Sequence, residues 1–305
     1  MRSPTEELRS PTEESRSPTE ESRSVTSAGY WTQHNVTQHR RFATAEESLA
    51  YFQWRCDQYQ PYLDLLPVAG HDGKVVLDYG CGPGHDLVGF AHYSNPARLI
   101  GMDVSPSSLD EARLRLGVHN LEAEYELVDE NNARISLDDE SVDYVHSSGV
   151  LHHVPDPVAV LREFRRVLRP GGEIRVMIYN YDSLWLHLYT AYVVRLEEGR
   201  YADLPICEAF RHLTDGPHCP ISNVYRPAEF LSLATEAGLA GEHLGNALAM
   251  HELSLLPKRF AAVLDERFPR EHRHFLLDLT FDERGHPFWQ GERAGVDGCF
   301  RLWRS

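Results

Sequence analysis

Apolar and polar positions follow two alternating patterns along residues 74–180. Five short runs predict strands, namely "VVLD" at 75–78, "ARLIGMDVS" at 97–105, "AEYELVD" at 123–129, "SVDYVHSSG" at 141–149 and "EIRVMIYN" at 173–180. Segments with helical spacing lie between them, including "SPSSLDEARLRLG", which has a serine N-cap followed by proline, and "DPVAVLREFRRVLRPGG", closed by Pro-Gly-Gly. This alternation predicts an α/β fold, with a parallel sheet covered by helices on both faces. Ligands of such sheets bind beyond the carboxyl ends of the strands.

The first 25 residues have a different pattern. Residues 2–22 consist of three consecutive copies, "RSPTEEL", "RSPTEES" and "RSPTEES". Each copy carries a proline and almost no apolar residue, so the repeat can form neither a coiled-coil seam nor a core. We therefore predict a disordered, negatively charged tail over residues 1–25, followed by one domain over residues 26–305.

The segment before the first strand predicts a lid over residues 26–62. Its clearest element is "AEESLAYFQWRCDQY" at 45–59, a helix with glutamates in the first turn that ends before Pro61. The aromatic and basic face of this helix includes Tyr51 and Arg55. Either side chain is a candidate to meet a ligand carboxylate, and simple packing of the face on the domain is the alternative interpretation.

Composition narrows the function classes. The 305 residues carry a net charge of −16, from 30 basic and 46 acidic side chains, which disfavours nucleic acid as a partner. The five cysteines are scattered and form no C-x-x-C pair, as is typical of a reducing compartment, so we expect a cytoplasmic protein. No apolar stretch approaches the roughly 18 residues that a membrane span requires.

The glycine-rich loop after the first predicted strand indicates the ligand. Gly80, Gly82 and Gly84 permit tight turns and close approach of another group to the backbone. Their G-x-G-x-G spacing differs from the G-x-G-x-x-G pattern that accommodates a pyrophosphate. Asp78 precedes the loop and suits an ammonium group, while Asp103, at the end of the second strand, suits the two hydroxyls of a ribose. An ammonium group and a ribose without pyrophosphate describe S-adenosylmethionine (SAM).

Three motifs in this order resemble the class I SAM-dependent methyltransferases. They are "VVLDYGCGPG", "LIGMDVS" and "LHHVPDPVAVLREFRRVLRPGGEIRVMIYN", and the resemblance covers about residues 74–180. It implies a Rossmann-like, seven-stranded, mostly parallel sheet in the order 3-2-1-4-5-7-6, with strand 7 antiparallel. The segments "AGEHLGNALAM" at 240–250 and "GCFRLWRS" at 298–305 are then strands 6 and 7.

The resemblance also implies the cofactor-binding residues. Asp78 and the loop would hold the methionine end of SAM, Asp103 the ribose and Val104 the adenine ring. The adenine amino group would meet Asp129 or Asn131, and this alternative stays open. The remaining predicted neighbours of the cofactor, or of its product S-adenosylhomocysteine, are the loop residues and two serines at the end of the fourth strand: Gly80, Cys81 (by packing), Gly82, Gly84, Ser147 and Ser148.

Candidate catalytic residues follow the fourth strand. His152 or His153 could take the proton of a hydroxyl acceptor, although one imidazole could equally cap a helix or pack, and C-methylation would require no base. Two insertions, residues 181–226 and 251–297, are predicted to bind the acceptor and form a cap. The predicted pocket residues there are Tyr181, Asp182, Trp185 and His187. No metal is predicted, because the histidines and Cys219 lack the spacing of a zinc site.

These features predict an enzyme that methylates a small polar metabolite, most simply a hydroxyl of a sugar, a glycoconjugate or a natural-product intermediate. The runner-up is a C-methyltransferase acting on a lipid or isoprenoid. A non-catalytic, regulatory SAM-binding protein is the alternative from another class, because a fold alone does not prove turnover. A small-molecule acceptor is the predicted partner, with a homodimer as the candidate assembly.

Overall fold

The computed structural model describes residues 26–305, so the tail predicted at 1–25 lies outside the described residues. Eight strands form the main sheet, and three short strands form a separate small sheet. The strands of the main sheet are β1 Tyr59–Gln60, β2 Val75–Tyr79, β3 Arg98–Asp103, β4 Glu124–Leu127, β5 Val142–Ser148, β6 Leu168–Tyr179, β7 Leu239–Ala249 and β11 Asp297–Arg304. The small sheet contains β8 Thr280–Phe281, β9 Pro287–Trp289 and β10 Glu292–Arg293.

The strand order of the main sheet is β4-β3-β2-β5-β6-β11-β7-β1. Strands β4, β3, β2, β5 and β6 pair in parallel, whereas β11 is antiparallel to both β6 and β7. The predicted order, with one antiparallel strand between strands 5 and 6, is therefore confirmed. The structure adds a two-residue edge strand, β1, which pairs with β7 and brings the end of the N-terminal segment to the sheet.

Helices cover both faces of the sheet. They are α1 Ser27–Gln33, α2 Ala45–Asp57, α3 Tyr62–Leu65, α4 His85–Tyr93, α5 Pro106–Val118, α6 Pro157–Val167, α7 Ile206–Thr214, α8 Pro227–Glu236, α9 Met250–Leu255, α10 Arg259–Leu264 and α11 Arg270–Leu277. A π-helix spans Trp185–Glu197, and 3₁₀ turns span Leu151–His153 and Leu256–Lys258. Among the helices of residues 26–305, none is both long and apolar enough to span a bilayer.

Local capping sets the ends of the core helices. The Ser105 hydroxyl accepts a hydrogen bond from the Ser108 amide at 3.2 Å and begins α5, as predicted. The Asp156 carboxylate accepts one from the Ala159 amide at 2.9 Å and begins α6. Helix α6 ends at Val167, before the predicted Pro-Gly-Gly stop, because extended backbone from Leu168 onward already belongs to β6.

Two apolar clusters lie on opposite faces of the sheet. One contains Leu77, Val145 and Phe164 and packs β2 and β5 against α6. The other contains Phe52 and Phe90 and packs α2 and α4 against the opposite face. Side chains of a strand alternate between faces, so each position of β2 contributes to one cluster or the other. This alternation decides which residues of β2 can reach a ligand.

The two insertions pack against each other. The π-helix, α10 and α11 share an apolar cluster that includes Leu188, Phe268 and Phe275. All five cysteines lie among the described residues and are free thiols, four of them buried. The insertions therefore hold together by apolar packing, without a disulfide.

Candidate active site

A cavity of about 580 Å³ opens at the carboxyl ends of β2, β3, β5 and β6. The amino end of the antiparallel strand β11 reaches the same edge, because Asp297 pairs with Tyr179 in the sheet register. Helix α1, the end of α2, the loop that follows β4 and the loop that follows α7 contribute further walls. The cavity is therefore built by segments from the whole described chain, around the edge predicted for ligand binding.

The glycine loop lies at one end of this cavity. Gly80 and Gly82 line it, and both have the left-handed backbone conformation, with φ of 80° and 51°. A Cβ on Gly80 would lie 2.1 Å from Cγ2 of Val150, whereas a Cβ on Gly82 would meet nothing within 4 Å. The loop thus combines one close contact with Val150 and one open position beside the cavity.

Asp103 connects the second strand to the glycine loop. Its Oδ2 accepts a hydrogen bond from the Gly82 amide, and its Oδ1 accepts one from the Ser105 amide, each at 2.8 Å. Burial raises the pKa of Asp103 to about 6, although these backbone amides favour the charged form. Both oxygens keep a free lone pair, and the side chain lines the cavity, as a ligand for two ribose hydroxyls requires.

The wall next to Asp103 contains both candidates for the adenine amino group. Asp129 and Asn131 line the cavity together with Val104. The backbone amide of Asn131 donates a hydrogen bond to Oδ1 of Asp129 at 3.0 Å, so the two residues form one turn. The turn brings both side chains to the cavity, and the choice between them remains open.

Asp78 does not line the cavity. It shares the face of β2 that carries Val76 and lies 2 % exposed, on the side of the sheet covered by α4. The Asp78 Oδ2 atom has no hydrogen-bond partner among residues 26–305. Burial raises the pKa of Asp78, and the carboxylates of Asp86 and Asp103 act in the same direction. Asp78 therefore lies behind the wall of the cavity, and its contact with an ammonium group stays a prediction.

A buried polar cluster continues the wall near β5. The Tyr62 hydroxyl lies 3.1 Å from Oδ2 of Asp86 and 2.9 Å from Oγ of Ser148. His146 Nε2 lies 3.3 Å from the same Asp86 oxygen, and this partner raises the pKa of His146 while lowering that of Asp86. Tyr62, Asp86 and Ser148 all line the cavity. Of these three, only Ser148 was predicted from the sequence.

Arg55, rather than Tyr51, reaches the cavity. Arg55 lines it and forms no ion pair within 4.0 Å among residues 26–305. Tyr51 instead packs beside Phe42, with ring centroids 5.2 Å apart, and lies outside the cavity. The structure also places two further predicted cofactor neighbours outside it. Ser147 donates a hydrogen bond to the Tyr79 carbonyl, and Gly84 packs against α5.

Cys81 lines the cavity at the glycine loop and is 5 % exposed. Burial raises the pKa of its thiol well above the usual value, so the thiol is neutral. This environment agrees with the packing role predicted for it.

Helix α1 covers one side of the cavity through Trp31. The helix is held at both ends, because the Ala28 amide donates to Oε2 of Glu130 at 2.8 Å and the Thr32 carbonyl accepts from the Ser107 hydroxyl at 3.0 Å. The Trp31 ring lies edge-on to His153, with centroids 4.9 Å apart. The predicted lid segment therefore contacts the site that the catalytic prediction concerns.

The two adjacent histidines have different environments. His152 is fully buried, lies outside the cavity and stacks on Tyr179, with ring centroids 3.9 Å apart. Burial lowers the pKa of His152 well below its ordinary value. His153 lines the cavity, and its Nδ1 lies 2.6 Å from the Ile221 carbonyl oxygen. A carbonyl oxygen can only accept, so Nδ1 carries the hydrogen, and the neutral form of the ring has its lone pair on Nε2.

Asp215 is the residue opposite Nε2 of His153, and sequence analysis missed it. Its Oδ2 lies 3.6 Å from that nitrogen, within ion-pair range but beyond hydrogen-bond distance. The Tyr179 hydroxyl lies 3.0 and 3.1 Å from the two carboxylate oxygens, and the Ser222 hydroxyl donates to Oδ2 at 3.2 Å. Asp215 is thus fixed by two hydroxyls and is available to stabilise a positive charge on His153.

His153, Asp215 and Cys219 also form a group of potential metal ligands within 4.8 Å of one another. Asp215 approaches Nε2 of the histidine, whereas the Cys219 sulfur lies 3.9 Å from Nδ1. Nδ1 already forms a hydrogen bond to the Ile221 carbonyl. Burial raises the pKa of the Cys219 thiol to about 12. The Asp215 oxygen and the Cys219 sulfur therefore lie nearest to different nitrogens of the ring, and the nitrogen nearest the thiol already donates to a carbonyl.

The residues predicted for the acceptor pocket lie elsewhere. Tyr181, Asp182, Trp185 and His187 do not line the cavity. Tyr181 packs in a buried apolar cluster with Leu186 and Phe210. The His187 ring lies against His272, with the two Nδ1 atoms 2.9 Å apart. Aromatic and polar character alone suggested these positions, and it did not indicate which way they face.

The cavity instead receives residues that the sequence analysis did not single out. They are Trp31, Tyr59, Tyr62, Asp86, Tyr179, Asp215 and Asp297. The pairing of strand ends was the available signal for two of them, since Tyr179 is the last residue but one of the fifth predicted strand and Asp297 precedes the last predicted strand. Asp215 carried no comparable local signal, because a long loop delivers it.

The sheet order, the glycine loop and Asp103 define a class I SAM-dependent methyltransferase. Residues 70–200 match a family model described as a methyltransferase domain. The fold resembles that of a SAM-dependent methyltransferase from Thermotoga maritima, with a TM-score of 0.51 and 15 % identity, over 92 % of this chain and 100 % of that one. The chain belongs to this family, the predicted enzyme class is confirmed, and SAM is the family's cofactor.

Relatives similar in sequence include two with different names. A Thiobacillus denitrificans protein named ubiquinone biosynthesis O-methyltransferase is 31 % identical over 172 residues, which cover 56 % of this chain and 67 % of that protein. An uncharacterized 37.1 kDa protein in transposon Tn4556 of Streptomyces fradiae is 37 % identical over 171 residues, or 55 % of this chain. The match spans 44 % of the length of the transposon protein.

Proposed function

We propose that this protein transfers a methyl group from SAM to a hydroxyl of a small polar metabolite, such as a sugar, a glycoconjugate or a natural-product intermediate. The observation that carries this proposal is the position of His153. His153 lines the cavity that also contains the glycine loop and Asp103, and the hydrogen bond at Nδ1 leaves Nε2 as the nitrogen that can accept a proton. A base beside the cofactor site is what a hydroxyl acceptor needs, because the oxygen must lose a proton as it is methylated.

The residues present fit the cofactor at one end of the cavity. Asp103 would accept the ribose hydroxyls, Asp129 or Asn131 would meet the adenine amino group, and Ser148 would lie near the methionine part. Arg55 would pair with the cofactor carboxylate, since this guanidinium has no ion-pair partner within residues 26–305. When bound, SAM supplies a methyl group on a positively charged sulfur, which keeps the bonding electron pair and becomes the neutral thioether of S-adenosylhomocysteine.

The chain's own contribution to chemistry is proton transfer and positioning. The acceptor oxygen gains the methyl group, and its proton passes to Nε2 of His153. The Asp215 carboxylate, 3.6 Å from that nitrogen, then stabilises the resulting imidazolium. The hydrogen bond from Nδ1 to the Ile221 carbonyl keeps the ring in the tautomer that this step requires. Trp31 excludes water from the same side of the ring.

The size and walls of the site support a small acceptor. A cavity of about 580 Å³ lies within the range of small-molecule sites, and it must hold the cofactor as well. Aromatic rings with polar tips, Tyr59 and Tyr179, line the end away from the glycine loop and suit polar ring compounds. The name of the Thiobacillus denitrificans relative, an O-methyltransferase of a small molecule, agrees with methylation on oxygen.

Two measurements test this function. Calorimetry should show saturable binding of S-adenosylhomocysteine, and a screen of hydroxyl compounds should show that product forming from SAM. The His153→Gln variant should lose about 10²-fold or more in kcat while it keeps its affinity for S-adenosylhomocysteine. Cofactor binding without turnover on any hydroxyl compound, or full turnover by the variant, would contradict the proposal.

A further inference from the structure

Asp297 is a buried carboxylate without a partner inside the cavity. It is 2 % exposed and lines the cavity at the amino end of β11. Its side-chain oxygens form no hydrogen bond and no ion pair among residues 26–305. A buried charge without a partner is costly, and natural structures keep one mainly where a ligand completes the site.

The surroundings of Asp297 offer its carboxylate no cationic partner, even when the cofactor is bound. Arg55 is the cation whose field acts on Asp297, but it lies beyond ion-pair distance and, on the proposed function, binds the cofactor carboxylate. Asp215 adds a second negative charge near Asp297. Burial and Asp215 together raise the pKa of Asp297 to about 7. The acceptor end of the cavity therefore holds two carboxylates and His153.

Aromatic rings enclose the same space. Tyr179 lies opposite Asp297 in the sheet register, and its hydroxyl is occupied by Asp215. Tyr59 lines the cavity close enough to Asp297 for that carboxylate to raise the pKa of its phenol, second only to burial. Ring faces next to carboxylates stabilise an alkylammonium group through its positive charge and exclude water from it.

We propose that Asp297 binds an ammonium group of the acceptor, so that the substrates are hydroxyl compounds that also carry a protonated amine, as amino sugars do. This inference rests on the proposed function and names its substrate class. An ammonium group is favoured over a second hydroxyl because it neutralises one of the two carboxylates and forms charge-assisted hydrogen bonds. An anionic acceptor is disfavoured for the same reason.

The test uses three sugars that differ in charge at one position, namely glucosamine, glucose and glucuronate. Each is titrated into the full-length protein saturated with S-adenosylhomocysteine near neutral pH. We expect glucosamine to bind roughly tenfold more tightly than glucose, or better, and glucuronate to bind most weakly. The Asp297→Asn variant should lose the preference for glucosamine. Asp278→Asn, which changes an exposed carboxylate outside the cavity, is the matched control and should keep it.

Several outcomes would overturn the inference. Equal binding of glucosamine and glucose, no binding of any of the three sugars, or an unchanged preference in Asp297→Asn would each do so. A cooperative melting transition at or above the wild-type temperature and an unchanged S-adenosylhomocysteine affinity would show that the variant is folded. Methylation of glucose that does not depend on Asp297 would overturn this inference and leave the proposed function intact. Glucosamine methylated on nitrogen would contradict the hydroxyl proposal and leave the charge preference standing.

Discussion

The glycine loop permits a quantitative comparison of two neighbouring glycines. Gly80 and Gly82 both have positive φ, so alanine at either position adopts a left-handed conformation that costs roughly 1–2 kcal/mol. Reduced entropy of the unfolded chain returns about 0.4–1 kcal/mol of this. The two positions differ in space, because only at Gly80 would the new Cβ meet another side chain, Val150 at 2.1 Å. Overpacking of this kind typically costs 1–3 kcal/mol more.

We therefore expect Gly82→Ala to lower the free energy of unfolding by about 1 kcal/mol and Gly80→Ala by about 2–4 kcal/mol. Val150→Ala removes the two γ carbons, at 2.1 and 2.9 Å, and leaves the β carbon at 3.0 Å. In that background Gly80→Ala should cost little more than Gly82→Ala. The coupling free energy between positions 80 and 150 should then be about 1–3 kcal/mol in favour of the double variant.

Urea unfolding of the cofactor-free protein measures these differences, with an unchanged m-value as the condition for comparing variants. Gly82→Ala serves as the control that carries the backbone cost without the clash. The reasoning is refuted if the two alanine variants are equally stable, or if Val150→Ala does not change the cost of Gly80→Ala.

Three further predictions concern charge. Asp103→Asn should weaken S-adenosylhomocysteine binding by roughly 10–150-fold, the equivalent of one charged hydrogen bond. The wild-type affinity should fall as the pH drops through about 6, where the free carboxylate takes up a proton. A flat pH profile of the wild-type affinity between pH 5 and 8 would contradict this expectation. The folded-state pKa of Asp297, about 7, lies above its unfolded value, so the stabilisation from its protonated form is complete at low pH and is lost as the pH rises through 7. Chemical denaturation should therefore show Asp297→Asn to be more stable than wild type at pH 8, by at most roughly 4 kcal/mol. At pH 4 the two proteins should be similar in stability. Removal of divalent metal by a chelator should leave turnover unchanged, because His153 is proposed to act as a base. A loss of turnover that zinc or magnesium restores would instead favour a metal at His153, Asp215 and Cys219.

The sheet and the cofactor end of the site were largely predictable. Helical and strand periodicities are local properties that can be read from the sequence. Glycine spacing likewise indicates where the backbone needs a positive φ or a close approach of another group. The predicted strand order was accordingly confirmed, and Asp103, Val104 and Ser148 lie at the cavity. Edge strand β1 was missed, because two residues carry no periodic signal.

The facing of individual side chains was less predictable. Asp78 and Tyr79 are adjacent in β2, yet only Tyr79 lines the cavity, because successive side chains point to opposite faces of the sheet. His152 and His153 are likewise adjacent, and a single 3₁₀ turn buries one and presents the other. Residue type suggested the chemistry in both cases, but the backbone geometry selected the residue.

The sequence by itself determined the fold, the ligand-binding edge of the sheet and the identity of the cofactor, since each is encoded in short segments. Only the tertiary structure brought Asp215 and Asp297 to the same cavity as His153, from which they lie 62 and 144 positions further along the chain. The antiparallel strand β11 begins where the parallel strands end, and the loop after α7 folds back over Tyr179. Contacts of this kind depend on how whole elements pack, and no local pattern records them.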